Sequence, residues 1–445
     1  MARVNSQKGA CRLHQKCFLF LGLFFLSSIL AQSQIEGSAG QTDTKPFTAT
    51  VAIREGYDSN PLTAPYTPNY AAGAKEPQSS TYTSIQPSLG YNYIGLRADM
   101  ALRYDFSGTY FPSINQQYDI QYAQTLTGRY TYAIDPRTSI TLADNFIYTE
   151  QPIAGLVQVG IAPTFNTSTM NNLATVEAEY RVTDRLAMVT RWNNTLVYLG
   201  GNSANSNYMN NGAFQQFRLD FTPETVGTFS FDYQIYDYDD DSSFRDNQQA
   251  AFSIGADHTF LPTLFFSGRA GLQLNDNFGL SDNSNIISAG GMGSGESEIG
   301  TFPFASISAT WNYEQKSFAS VGFSTQIQQS NLTSASDSEA YTINLNWDHF
   351  FTDKFSLIQS FFINYAVFTP QLSQEQATAA GFGYQGSGQQ TTVTYQCKFA
   401  YEFYPYLSAE LGWSYTNYGS YFDVGNGNNP SYNRNQVFLG VRGTY

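Results

Sequence analysis

The side chains that could carry out chemistry are few in this 445-residue chain, and their spacing argues against catalysis. Beyond residue 33 the histidines are His258 and His349, and a phenylalanine, Phe260 or Phe351, stands two positions after each. A histidine that activates a serine on the same strand face would need Ser at those positions. A metal site would need a cluster of ligands, which this spacing does not offer. The sequence therefore predicts no metal, no cofactor and no enzymatic activity.

Two further stretches approach known sites without meeting their requirements. GMGSGES, residues 291–297, has its glycines in the wrong order for a G-x-S-x-G nucleophile elbow. DYDDD, residues 237–241, is similar to the start of a calcium-binding loop, but Ser242 replaces the turning glycine and Gln248 the bidentate glutamate. We interpret the first as a flexible loop and the second as a solvated acidic loop in preference to a calcium site.

The composition favours β-sheet and an unusual surface. Apolar residues make up 42% of the chain and aromatic residues 16%, whereas charged residues make up only 13%, about half the usual share for a soluble globular protein. Tyrosine (32) and phenylalanine (35) are abundant, and Leu-rich stretches with helical spacing are scarce, so sheet is the better expectation. With so few charged residues, the protein surface is not that of an ordinary water-soluble protein.

The N-terminus has the layout of an export signal. Basic residues precede an apolar run, residues 17–30, and Ala31-Gln32-Ser33 supplies a small-x-small cleavage site. The run is too short for a membrane span of about 20 residues, so a cleaved signal is preferred to a retained anchor. We predict a signal peptide over 1–33, a short periplasmic segment over 34–45, and one β-barrel domain over 46–445.

Cleavage would make the chain strongly acidic and leave a single thiol. The signal contains four of the 22 basic residues and none of the 36 acidic ones, so the remainder carries a net charge of −18. Nucleic acid is therefore not expected as a partner. Cys397 would be the remaining cysteine, so no internal disulfide is predicted.

Polar and apolar residues alternate over most of the chain, as pleated strands require. In IQPSLGYNY, residues 85–93, the odd positions are mostly apolar or aromatic and the even positions are polar or glycine. In the next run, Leu102 and Tyr104 oppose Arg103 and Asp105. A soluble sandwich would bury the apolar face, but a barrel in lipid turns it outward and places the charges around a lumen.

The connections between these strands alternate between short and long, as in strands that cross a membrane and return. Short periplasmic turns are predicted near residues 94–95, 135–136, 183–184, 223–224, 261–262, 314–315, 352–353 and 404–405. Long external loops are predicted near residues 58–80, 111–116, 150–168, 199–211, 239–248, 277–301, 329–337, 366–389 and 419–432. We predict an all-β fold, a transmembrane antiparallel up-and-down β-barrel of about 18 strands, with 16 as the alternative. Asp144 and Asp237 interrupt the alternation on nominally lipid-facing positions.

Aromatic residues cluster where strands approach the short turns, as expected for rings at a membrane interface. The predicted aromatic girdle consists of Tyr91, Tyr93, Tyr132, Tyr180, Phe221, Phe260, Trp311, Tyr313, Trp347, Phe403 and Tyr445. At the opposite strand ends, Tyr57, Tyr110, Tyr148, Tyr198 and Tyr365 form a second, less complete belt. A soluble sandwich has no reason to carry aromatic rings at both ends.

Charged residues of both signs fall on the polar strand faces. The predicted pore-lining residues are Arg103, Asp105, Arg129, Glu177, Glu179, Arg181, Arg191, Arg218, Asp220, Asp232, Arg269, Lys398, Glu402, Glu410 and Arg442. Such an interior implies either water or mutual pairing. We favour a water-filled pore, because 16 to 18 strands leave an aqueous channel; the alternative is a network that only braces the wall.

Two stretches carry a family resemblance. GYDSN, residues 56–60, resembles the first-strand signature of a bacterial family of outer-membrane β-barrel porins, found among exported proteins of polysaccharide-producing bacteria. VFLGVRGTY, residues 437–445, resembles the C-terminal aromatic strand that the barrel-assembly machinery recognises. The resemblance implies a barrel in the outer membrane, in contact with its lipid and the assembly machinery, and a homo-oligomer such as a trimer.

These features predict an outer-membrane, porin-like channel for passive diffusion of small hydrophilic solutes. An acidic excess in the loops predicts a weak preference for cations. The segment from Ser373 to Gly381 has helix-capping spacing and would constrict the pore if folded inward. We favour the alternative, an external loop that lies over the rim. The alternative function is a structural or partner-binding component of polysaccharide export or cell-surface assembly, for which inward aromatics such as Phe265, Phe362 and Phe438 would form a sugar-stacking track.

Overall fold

The computed structural model describes ten segments of the chain, all from its predicted barrel region. They are residues 46–64, 77–114, 119–150, 168–200, 207–239, 246–276, 299–329, 337–368, 387–422 and 431–445. The predicted signal peptide and periplasmic segment lie outside these described residues. Within them, no helix is long and apolar enough to cross a membrane.

Eighteen β-strands account for nearly all of the described residues. They are β1 (Phe47–Asp58), β2 (Ser80–Ile94), β3 (Ala98–Tyr110), β4 (Ile120–Asp135), β5 (Thr138–Thr149), β6 (Thr169–Arg181), β7 (Leu186–Leu199), β8 (Tyr208–Thr222), β9 (Thr225–Tyr238), β10 (Asn247–Leu261), β11 (Leu264–Asp276), β12 (Ile299–Asn312), β13 (Phe318–Gln329), β14 (Asp337–Thr352), β15 (Phe355–Phe368), β16 (Gly388–Tyr404), β17 (Leu407–Phe422) and β18 (Ser431–Thr444).

The sheet closes on itself. Each strand pairs antiparallel with its neighbours in sequence, and β1 also pairs with β18. At this seam Tyr57 lies opposite Val437, and the backbones of Ala49 and Tyr445 exchange hydrogen bonds of 3.2 and 2.8 Å. The predicted all-β, 18-stranded, up-and-down barrel is therefore confirmed, and the 16-stranded alternative is wrong.

Eight short turns fall at the predicted positions, and local side chains fix several of them. Asp135 Oδ1 accepts the backbone N–H of Arg137 at 2.7 Å. Thr352 Oγ1 accepts the N–H groups of Lys354 and Phe355 at 3.3 and 3.1 Å. Short polar side chains of this kind satisfy backbone groups that the sheet leaves unpaired at a turn. At the end of the barrel opposite the short turns, several strands continue a few residues into the predicted long loops. Backbone pairing can continue there because it does not require an apolar face.

The apolar side chains face outward. Paired residues in antiparallel strands point to the same face, so the register assigns an inner and an outer face to the whole wall. Large outward side chains are strongly exposed, such as Ile254 at 67% and Leu439 at 63%. A closed barrel with an apolar exterior and a polar interior is the inverse of a soluble protein. The protein is thus a membrane-spanning β-barrel.

All eleven residues of the predicted aromatic girdle lie on the outer face. Tyr445 follows β18 and pairs with outward-facing Ala49. Trp347 Nε1 donates to the Tyr313 hydroxyl at 2.7 Å, and Trp311 lies beside Tyr313 with ring centroids 5.1 Å apart. Between the two tryptophans the outer wall has an apolar depression of about 530 Å³, which lipid chains can fill.

Candidate pore lining

The register places all fifteen predicted pore-lining residues on the inner face of the wall. On β3, for example, Arg103 and Asp105 alternate with Leu102 and Tyr104, which pair with outward residues of β2. Asp144 and Asp237 fall on the outer face, as the broken alternation predicted: Asp144 pairs with Gly128 and Asp237 with Met209. Period-two alternation therefore assigned these residues to the inner face, although it could not reveal which of them meet across strands.

Several lining residues form ion pairs that remain open to solvent. Arg103 Nε lies 2.8 Å from Asp105 on the same strand. Three other pairs join different strands at longer distances. Arg191 to Glu177 at 4.0 Å and Arg269 to Asp257 at 3.9 Å join adjacent strands, and Arg218 to Glu179 at 4.0 Å spans β7. The side chains in these four pairs are 18–42% exposed. Pairs this loose and wet add little stability, and they leave the wall lined with accessible charge.

One inner cluster is different, because it is buried and has more positive than negative charges. Glu410 on β17 is 3% exposed and is contacted by three cations: Arg54 Nη2 at 2.8 Å, Arg442 Nε at 2.8 Å and Lys398 Nζ at 3.8 Å. Arg54 also lies over the Phe438 ring, 4.6 Å from its centroid. The sequence placed these residues on inner faces, but their meeting depends on closure, which brings β1 beside β18.

A second buried ion pair joins β1 to β18 at the outer end of the barrel. Arg434 Nη2 donates to Asp58 Oδ2 at 2.7 Å, and Asp58 is fully buried. The same carboxylate accepts from Gln436 Nε2 at 2.8 Å and from the Asn60 N–H at 2.9 Å. Through the Asn60 N–H, Asp58 also forms a local turn at the end of β1. Its ionic partner was missed, because Arg434 lies in the polar stretch SYNRNQ, where alternation gives no face.

The chain after β1 turns inward over this pair. Asn60 Oδ1 accepts the Ala64 N–H at 2.9 Å, and Asn60 Nδ2 donates to the Ala64 carbonyl at 2.9 Å. Leu62 is buried against Phe111 and inward-facing Tyr82. Gly56 has no side chain to obstruct this packing, since a Cβ there would lie 2.6 Å from the Tyr82 ring. The predicted external loop therefore begins inside the mouth of the barrel.

A second inward element comes from the β13–β14 hairpin. Pairing between β12 and β13 stops at Ala305 and Thr325, whereas β13 stays paired with β14 as far as Gln329. Gln329 Oε1 accepts from the Tyr238 hydroxyl at 2.8 Å and from Asn247 Nδ2 at 3.1 Å. The hairpin end thus leaves the wall and lies against the inner face of β9–β11. The segment between Ser373 and Gly381, for which an external loop was preferred to a constriction, lies outside the described residues.

Inward aromatic residues are more numerous than the sequence indicated. Phe265, Phe362 and Phe438 lie on the inner face, as predicted. The sequence reasoning missed a group of inward tyrosines toward the outer end of the barrel, namely Tyr82, Tyr208, Tyr236, Tyr238, Tyr418 and Tyr432. In β9 the outward Tyr233 and the inward Tyr236 and Tyr238 all lie within six residues, so aromatic identity alone does not reveal the face.

The two histidines lie on the outer face near the short turns. His258 Nδ1 is 2.8 Å from Thr225 Oγ1, and His349 Nδ1 is 2.8 Å from the Tyr313 hydroxyl. His349 also stacks on Trp347, with ring centroids 5.7 Å apart. Among the described residues, no three His, Cys, Asp or Glu side chains are grouped so that they could hold a metal ion.

The comparisons with known proteins give distant structural similarities. No family model matches the chain, and no curated protein matches it. It is similar to the outer membrane protein opdK of Pseudomonas aeruginosa, with 8% identity, a TM-score of 0.43, and coverage of 90% of this chain and 99% of that one. It is also similar to the FrpB iron transporter of Neisseria meningitidis, with 9% identity, a TM-score of 0.43, and coverage of 89% and 82%. The siderophore receptor PirA of Pseudomonas aeruginosa matches at 9% identity and a TM-score of 0.39, over 90% and 80% of the two chains.

Proposed function

We propose that the barrel is an outer-membrane channel through which small hydrophilic solutes diffuse passively. The observation that carries this proposal is the set of half-exposed ion pairs on the inner face of a closed wall, such as Arg191 with Glu177. Charged side chains are costly in hydrocarbon, and accessible ones inside a barrel line water. Passive diffusion needs no covalent step, so we propose no enzymatic activity.

We also propose a weak cation preference. The described part of the outer rim includes Glu150, Asp239 and Asp246 at or just beyond the strand ends, and an acidic mouth enriches cations locally. The cluster around Glu410 opposes this effect, because three cations share one carboxylate there. The mouth acts on every entering ion, whereas the cluster is largely buried, so the acidic rim should dominate.

Planar-bilayer recording of the purified protein tests both proposals. We expect stepwise ionic currents, and a reversal potential in a KCl gradient that indicates modest preference for K⁺ over Cl⁻. A folded barrel that gives no current would contradict the channel. A reversal potential of the opposite sign would contradict only the cation preference.

A second candidate function is a structural or partner-binding role in polysaccharide export or cell-surface assembly. The inward tyrosines near the mouth favour it, since aromatic faces suit sugar rings better than inorganic ions. The GYDSN resemblance to outer-membrane porins of polysaccharide-producing bacteria is compatible with either function, and we retain membership of that family as a proposal. Correct folding without conductance would favour this second candidate.

A further inference from the structure

The inward β13–β14 hairpin encloses a cavity on the inner wall. The cavity has a volume of about 280 Å³ and lies between the hairpin end and the inner faces of β7–β11. This is close to the lower end of the usual range for small-molecule sites, about 300–1,000 Å³. We call it the amide pocket, after the side chains of Asn193, Asn210, Gln234, Gln249 and Gln273 that line it.

The lining of the amide pocket suits an uncharged, hydroxyl-rich ligand. Amide groups donate and accept hydrogen bonds at once, as hydroxyl groups do. The lining includes one charged side chain, Asp232, and no lysine or arginine. Tyr208 and Tyr236 add aromatic surface, with ring centroids 5.8 Å apart. A site for an anion would require cations, and a site for a purely apolar ligand would not require the eight amide side chains that line this pocket.

Two buried amides in the pocket each have one atom committed and one without a partner among the described residues. Asn210 Nδ2 donates to Gln234 Oε1 at 2.9 Å, while Asn210 Oδ1 has no partner. Gln249 Oε1 accepts from Gln273 Nε2 at 3.0 Å, while Gln249 Nε2 has no partner. These side chains are only 5% and 4% exposed, and an unsatisfied buried polar atom costs about 1–3 kcal/mol. Both amides are thereby fixed beside the pocket, although these two atoms have almost no exposed surface of their own.

The amides are held in place by the inward hairpin. Gln273 Oε1 accepts the backbone N–H of Ile327 at 3.0 Å, so the same side chain joins the hairpin to Gln249. Gln234 Oε1 likewise accepts from the Tyr236 hydroxyl at 2.6 Å while it holds Asn210. Pre-positioned polar groups of this kind lower the entropy cost of binding.

We propose that the amide pocket binds a sugar ring of a neutral carbohydrate entering or leaving the barrel. The ring hydroxyls would exchange hydrogen bonds with the amide side chains of the lining, among them Asn210 and Gln249, while the tyrosines cover the ring. This inference rests on the proposed channel, because it names the class of solute that the channel would recognise.

The test is isothermal titration of the detergent-solubilised full-length barrel with glucose, galactose, mannose and maltotriose. We expect saturable binding of at least one sugar, weakened about tenfold by Asn210→Ala and by Gln249→Ala through loss of one hydrogen bond each. Gln216→Ala is the matched control, because Gln216 is a buried, inward amide on the same strand as Asn210 but does not line the pocket. Heat-modifiable electrophoretic mobility would verify that each variant is folded.

No saturable binding of any of the four sugars, or equal weakening by Gln216→Ala, would overturn the proposal. Bilayer recordings separate this failure from failure of the channel. Ionic currents without sugar binding would support the channel and contradict sugar binding by the amide pocket. Sugar binding without currents would support the amide pocket as a sugar site and contradict the channel.

Discussion

Glu410 shows how much of the inner wall depends on a single carboxylate. Glu410→Gln preserves the side-chain shape but removes the charge that Arg54, Lys398 and Arg442 share. Removing one partner from a buried ionic cluster typically costs about 3–5 kcal/mol, and we expect a loss near the lower value because the cations keep some contact with water. Urea unfolding in lipid vesicles would measure it.

The matched control is Glu402→Gln, which removes an exposed inward carboxylate near the periplasmic end. We expect a change of less than about 0.5 kcal/mol there, as for most surface substitutions. If Glu410→Gln were as stable as the parent, packing rather than charge would hold the four strands together at this point.

Asp144 lies on the outer face between the two aromatic belts, where its carboxylate accepts a hydrogen bond from Asn172 Nδ2 at 2.5 Å. Asp144→Asn removes the charge and retains an acceptor for Asn172. Charges on the lipid face cost most at mid-depth and little near the interfaces. We therefore expect a gain of about 1 kcal/mol in unfolding free energy, measured in the same vesicles.

Asp237→Asn provides the comparison at a different depth, because Asp237 is the penultimate residue of β9 at its outer end. The expected gain there is close to zero. A loss of stability in Asp144→Asn would mean that the charge is used, for instance by a partner that covers this part of the wall.

At the scale of the elements, strands and turns could be predicted because each obeys a local rule. Period-two alternation identified the faces, and short polar side chains such as Asp135 and Thr352 marked the turns. The inward hairpin could not be predicted, because β13 keeps its alternation beyond Thr325. Beyond Thr325, β13 is no longer paired with β12. No pattern in the sequence of β13 indicates that this pairing ends. The same limitation hid the cluster at Glu410, whose members come from four strands.

The hairpin itself can be tested through Gln329. Gln329→Ala removes the acceptor shared by Tyr238 and Asn247, and each hydrogen bond lost in this way typically lowers stability by about 0.5–1.5 kcal/mol. We expect the hairpin end to separate from β9 and β10, which would raise single-channel conductance and current noise in planar bilayers. Gln326→Ala, in the same hairpin, should leave both unchanged, since Gln326 takes no part in these two hydrogen bonds. Unaltered conductance in Gln329→Ala would show that the hairpin does not limit the pore.

At the scale of the whole molecule, closure depends on the last residue as well as on side chains. The Tyr445 backbone pairs with Ala49, and its ring is 82% exposed on the outer face. Deleting Tyr445 would remove the final pair of hydrogen bonds of the seam and the terminal aromatic residue that the assembly machinery is proposed to recognise. We expect less heat-modifiable, membrane-inserted barrel in cells. Tyr406→Ala, which removes an exposed ring at a periplasmic turn, should assemble normally.

The pairing of β1 with β18 also determines when the barrel can close. Arg434 reaches Asp58 across 376 positions of the chain, and Arg54 reaches Glu410 across 356. Until the chain has folded as far as β18, its first strand therefore lacks one of its two partners. Throughout that interval it presents unpaired, aromatic-rich strand edges, which are prone to aggregate. Pairing of β1 with β18 is thus the step that removes the last of these exposed edges.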